Sequence, residues 1–210
     1  MPRDIKQKRT SLTRRGTATK LRIVEAAAKL VYESGAERVS LDEVMEASGT
    51  SKSQLYHYFT DKDDLLREVI ALQTSRIVQA NNIHLDRLES FEGLSAWRDM
   101  VVAANQAGGG VGGCPLGSLA NELSAQSEET RNLLDRSFGA WSAVIETGLS
   151  RMKASGHITQ CADTKAIAIA VLAAIQGGIL LSKSARNSKP LELAFDMALG
   201  HIKRYTASKP

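Results

Sequence analysis

The sequence predicts an all-α fold of about nine helices, and three observations carry that reading. Apolar residues recur at steps of three and four through most of the 210-residue chain. The composition favours helix over sheet, with only 4 prolines, 5% aromatic residues and segments rich in Ala, Leu, Glu, Lys and Arg. Capping signals stand in front of several of the periodic segments. With 43% hydrophobic and 24% charged residues the chain has enough apolar material for a real core, and collagen, long disorder and disulfide scaffolds are excluded.

The formal charge of +4 is unevenly spread. Eight Lys or Arg stand against Asp4 in residues 1–22, a local net of +7, while the other nineteen basic and twenty-two acidic residues leave the remainder at −3. A basic arm of this kind suits a polyanionic partner, or serves only solubility. No apolar stretch follows it, so a secretory signal is not expected. The uncharged and strongly apolar stretch 166–182 falls short of a bilayer span and is expected to be a buried helix of a soluble protein. Cys114 and Cys161 are expected as reduced thiols in a cytosol, and no membrane association is expected.

Residues 18–34 place Leu21, Val24, Ala27, Ala28, Val31 and Tyr32 on one helical face, and Gly35 stops the helix. Ser40-Leu41-Asp42-Glu43 is a capping box flanked by the staple pair Val39 and Val44, opening a short helix that ends at Gly49. A second capping box, Ser51-Lys52-Ser53-Gln54, opens another through Tyr58 and Phe59. Two short helices joined by a glycine turn make a helix-turn-helix pattern. At 100° per residue Leu55 and Phe59 point inward, leaving Ser53, Gln54 and His57 outward and flanked by Tyr56 and Tyr58. That set is suited to base edges and phosphates, whereas a merely solvated helix would carry more Glu and Lys. A longer helix follows from Thr60-Asp61-Lys62-Asp63, and Lys62 in its first turn opposes the helix dipole, which hints at a phosphate partner.

The stretch Thr19-Lys20-Leu21-Arg22-Ile23-Val24-Glu25-Ala26-Ala27, then Gly35, then Ser40 to Leu66 with Leu55-Tyr56-His57-Tyr58-Phe59 and Lys62, resembles the N-terminal domain of TetR family transcriptional regulators. The resemblance implies a basic arm over 1–16, a DNA-binding domain over 17–62 running into a linking helix over 61–84, and a ligand-binding and dimerisation body over 63–210. It also implies a homodimeric repressor released from a pseudo-palindromic operator by a small molecule. Arg14, Arg15 and Lys20 of the basic start are candidate DNA contacts, and, carried over by position, Ser40 would contact backbone. Ser51, Lys52, Ser53 and Gln54 would open the recognition helix, Tyr56 and Lys62 would contact phosphates, and either His57 or Tyr58 would face DNA, Tyr58 having packing against the first helix as its other reading.

In the body, a helix over 93–107 carries Leu94, Trp97, Val101 and Ala104 on one stripe. Six of the sixteen glycines then fall within 108–117, in neither phosphate-loop spacing, and read as a mobile connector. Pro115 starts the next helix, with Cys114 at its N-terminus, where backbone N–H groups would lower the thiol pKa. Its other reading is a small buried residue beside the loop. This Gly-Cys-hydrophobic start is similar to a subset of TetR relatives, among them electrophile-responsive repressors and repressors of multidrug or flavonoid response genes. Helices over 128–154, 164–185 and 190–205 complete the chain. The last two resemble the family's dimer interface, a buried hairpin of a monomer being the other reading.

Trp97, Cys114, Leu119, Phe138, Trp141 and Gln176 are the candidates for lining an apolar effector cavity, although Phe138 and Trp141 are residues more often found in the core. The four histidines lie far apart, no cysteine pair has zinc spacing and no G-x-S-x-G is present, so neither metal, cofactor nor catalysis is expected. Two further readings stand beside the ligand-released repressor: a DNA-binding dimer acting through a protein partner or as an architectural element, and a thiol or electrophile sensor through Cys114.

Overall fold

A computed structural model of the chain describes residues 13–86, 88–109 and 113–206. Nine helices follow one another among these residues: α1 (Arg14–Ser34), α2 (Leu41–Ser48), α3 (Lys52–Tyr58), α4 (Lys62–Leu85), α5 (Phe91–Ala107), α6 (Pro115–Leu123), α7 (Glu128–Ala154), α8 (Thr164–Ala185) and α9 (Lys189–Lys203). The only β contact among them is an isolated bridge between Ile158 and Thr206.

The first helix begins four residues earlier than its apolar period indicates. Thr13 caps it by accepting the N–H of Gly16, so Arg14 and Arg15 lie in a first helical turn and not in an arm. Those two cations and a glycine at a helix start run against dipole and propensity, which hid the turn in the sequence. The other basic residues of the arm, Arg3, Lys6, Lys8 and Arg9, lie outside the described residues. The shifts elsewhere are smaller: α5 starts at Phe91 after the Ser90 cap, and α9 runs from Lys189 to Lys203, leaving Tyr205 in a following turn.

Helices α1 to α3 form a head around Ile23, Ala27, Val44, Leu55 and Phe59, all buried. Helix α4 joins head to body: it packs on α1 at one end and on α7 at the other. Two ion pairs fasten it to α1, Lys20 to Glu68 at 2.7 Å and Arg76 to Glu25 at 2.9 Å.

In the body, α8 packs between α7 and α9. The approach of α8 to α9 is close because Gly178 has no side chain: a Cβ there would stand 2.8 Å from Leu191 Cα. Ser182, fully buried, accepts the Leu191 N–H at 3.2 Å, and Arg98 of α5 grips both carboxylate oxygens of Asp196 in α9 at 2.9 and 3.1 Å. Helix α8 is the one helix among the described residues long and apolar enough to cross a bilayer. In the single chain its outer face is open. Ile169, Leu180 and Leu181 are 54 to 68% exposed, and Leu193 and Met197 of α9 are 57 and 68% exposed.

Candidate nucleic-acid interface and body cavity

Each helix of the helix-turn-helix is closed by its own capping box. Ser40 Oγ accepts the Glu43 N–H while Glu43 accepts the Ser40 N–H at 2.7 Å, and that backbone donor holds the exposed Glu43 carboxyl below the usual carboxylate range. Gly49 turns the chain with φ 61° and ψ 39°, the left-handed conformation that favours glycine, and beneath it the Ser48 and Thr50 hydroxyls pair at 2.7 Å. Ser51 then accepts the Gln54 N–H, and Gln54 Oε1 accepts the Ser51 N–H at 2.9 Å.

Leu55 and Phe59 fix α3 by its buried side, so that Ser51, Lys52, Ser53, Gln54, Tyr56 and His57 are all exposed. His57 is the exposed member of the His57–Tyr58 pair. Tyr58 is half-buried against the core, edge-on to the His57 ring at 4.8 Å. Because the oxygen of Gln54 serves the cap, its amide nitrogen is the group left to donate outward. A bidentate grip on adenine, which needs both ends of the amide, would require opening the cap.

The remaining candidates divide. Arg14 and Arg15 are exposed at the start of α1, and Ser40 sits at the start of α2. Lys20 is turned inward, bonded to Glu68 and 5.7 Å from the centre of the Phe59 ring. Lys62 donates to the Glu37 carbonyl at 2.9 Å, joining the start of α4 to the turn between α1 and α2. Both lysines therefore have internal duties that their sequence positions did not reveal.

A cavity of about 550 Å³, partly open to solvent, lies between α6, α7 and α8. Of the six cavity candidates it gathers three, Cys114, Phe138 and Gln176. Trp97 is wholly buried elsewhere, its Nε1 donating to Asn81 Oδ1 at 2.8 Å and its ring edge-on to Phe195 at 4.9 Å. Leu119 shares the buried side of α6 with Leu116 and Leu123, and Trp141 is buried core. The polar residues between the leucines of α6, namely Ser118, Asn121 and Glu122, line the cavity instead, with Leu180 and Lys183 of α8. An apolar stripe marks the face a helix turns to its core, so the residues beside that stripe were the better signal.

The electrostatic expectation for Cys114 is reversed. It does sit at the N-terminus of α6, with Sγ 3.4 Å from the Gly117 N–H. Burial nevertheless pushes its pKa above the ordinary thiol value, and the Gly117 N–H and the Gln176 side chain only partly oppose this. The reactive thiolate that the helix-terminus argument predicts is therefore disfavoured, and Cys114 is a wall of the cavity. Gln176 on the facing helix has its Nε2 buried with the Cys114 sulfur as its one neighbouring acceptor and no hydrogen bond of good geometry.

Residues 23–69 match the family described as bacterial regulatory proteins, tetR family, and residues 90–197 match the C-terminal domain of LmrA/YxaF-like transcriptional regulators. An HTH-type transcriptional regulator from the lacX 3' region of Lactococcus lactis subsp. lactis is 30% identical over 182 residues, covering 85% of this chain and 90% of that protein. The HTH-type transcriptional regulator LmrA of Bacillus subtilis is 29% identical, covering 81% of this chain and 89% of its own length. Among solved structures, a TetR family regulator from Cytophaga hutchinsonii superposes with a TM-score of 0.81 at 20% identity, over 95% of this chain and 100% of that one. The regulatory protein TetR from Rhodobacter sphaeroides gives 0.77 at 22%, over 87% and 98%. These two likenesses bear on the fold.

Proposed function

This chain belongs to the TetR family of DNA-binding transcriptional regulators, which are not enzymes, and from that premise we propose that it is a homodimeric repressor in the cytoplasm, released from its operator by a small apolar or aromatic molecule held in the α6–α8 cavity. The observation that carries the reading is the polar and aromatic outer face of α3, held rigid by two capping boxes and the buried pair Leu55 and Phe59. Ser53, Gln54 and His57 are the base-reading residues, and Lys52, Tyr56, Ser40, Arg14 and Arg15 contact backbone phosphates. An external anion would relieve the two arginines at the α1 N-terminus of their conflict with the helix dipole.

Dimerisation rests on the open stripe formed by Ile169, Leu180, Leu181, Leu193 and Met197, since an apolar surface of this extent favours a partner and a second copy supplies a self-complementary one. Effector binding rests on the cavity volume and on Gln176 Nε2, which has no oxygen or nitrogen acceptor and suits a ligand with a hydrogen-bond acceptor set in a largely apolar frame. Operator and effector then oppose each other through α4, the helix shared by head and body. Footprinting the best of the genomic fragments retained by the purified protein tests this reading. Protection of a pseudo-palindrome with half-site centres one or more helical turns apart is expected; retention of all fragments alike at physiological salt would overturn it.

A further inference from the structure

One carboxylate in the body reaches into the head. Glu122 of α6 accepts the backbone N–H of Ala36 at 2.6 Å and that of Glu37 at 3.3 Å, both on Oε2. The two amides converge because Gly35 has φ 89° at the end of α1, where a side chain is disfavoured twice. The conformation suits glycine, and a Cβ at Gly35 would stand 3.2 and 3.4 Å from the Glu122 oxygens. Successive amides converging after a positive-φ residue form an anion-binding nest, here filled by a side chain from another part of the fold. The same turn is held from two more sides, by Lys62 Nζ on the Glu37 carbonyl at 2.9 Å and by Gln126 Nε2 on the Glu37 carboxylate at 3.5 Å. Three residues after Glu37, Ser40 opens α2 and the helix-turn-helix.

Glu122 is also part of the cavity wall, one helical turn from Ser118. We infer that Glu122 is the latch between effector and operator: its carboxylate seats the α1–α2 turn in the DNA-binding arrangement, and a molecule filling the cavity frees the turn by drawing that carboxylate out of the nest. It is a positioning residue, acting on DNA only through the turn it holds. The inference rests on the effector reading of the cavity and adds the group through which occupancy is felt. The route is short, because lining residue and head contact are the same side chain.

The test uses the full chain with anilinonaphthalene sulfonate as the cavity probe, and compares wild type with Glu122→Ala and Glu122→Gln. Hydrogen exchange is followed on a peptide spanning residues 33–40. Operator affinity is measured without and with saturating probe, so that differences in probe affinity drop out. In wild type the amides of Ala36 and Glu37 are protected, and saturating probe both releases them and weakens operator binding within the usual allosteric range of about 5- to 150-fold. Glu122→Ala is expected to speed exchange of that peptide about tenfold without probe, and to shrink the probe effect on operator affinity below about threefold. Glu122→Gln, which keeps one acceptor oxygen, falls between. Unchanged exchange in Glu122→Ala, or a full probe response in that variant, overturns the latch. If the probe leaves wild-type operator affinity unchanged, the effector reading of the cavity fails, and the exchange comparison alone decides whether Glu122 holds the turn.

Discussion

The paired substitution Leu180→Asp with Leu181→Asp is expected to leave the protomer folded, convert the dimer to monomer at micromolar concentration and lower operator affinity by a factor of about 100 or more. Both side chains are more than half exposed in the single chain, so neither carboxylate is buried by folding alone. In a dimer closed through α8 and α9 they would be taken from water without partners, which costs several kcal/mol per charge. Losing the second head removes the gain of linked half-site binding, typically about 10²- to 10⁴-fold. Sedimentation velocity, circular dichroism and operator titration separate these effects. Met197→Asp on α9 should act in the same direction, since it belongs to the same stripe. A variant that stays dimeric and binds operator as before would place the interface elsewhere.

Trp97→Ala should be the most damaging single change to the body, lowering stability by about 3–5 kcal/mol and the melting temperature by about 6–20 °C. Trp97 has no exposed surface, and its ring lies edge-on to Phe195, joining α5 to α9. Truncation would open a large void and strand Asn81 Oδ1, which is buried with the Trp97 N–H as its hydrogen-bond partner. Trp97→Phe keeps most of the ring packing and isolates the loss of that bond, so it should cost less. Thermal unfolding of the three proteins checks the order. A melting temperature for Trp97→Ala within 2 °C of wild type would contradict the packing described for α5 and α9.

What could be read from the sequence was local. The Ser40 and Ser51 caps, the Gly49 turn and the inward pair Leu55 and Phe59 depend on residues within one helical turn of each other, and each stands where its spacing puts it. The candidate site was legible to the same extent: the exposed residues of α3 follow from helical phase alone. What was not legible depended on distant partners. Lys20 meets Glu68 forty-eight positions away, Lys62 meets the Glu37 carbonyl, and Trp97 meets Phe195, none of which leaves a local pattern. Of the two readings of Cys114 the buried one holds: its place at the start of α6 was visible, while the burial that dominates its ionisation was not. The role of Glu122 was hidden for the same cause: the amides it accepts lie 86 and 85 positions away.

The central claim is that the outer face of α3 reads bases in two symmetric half-sites. A base-pair substitution scan of the footprinted operator, bound by wild type and by Gln54→Ala, tests it most directly. The account predicts that wild type loses about 1–3 kcal/mol at each sensitive position, symmetrically about the centre, and that Gln54→Ala erases the preference at one position in each half-site while leaving the others intact. A uniform loss of affinity across all positions would contradict base reading by Gln54, and a sensitive region without two-fold symmetry would contradict the dimer.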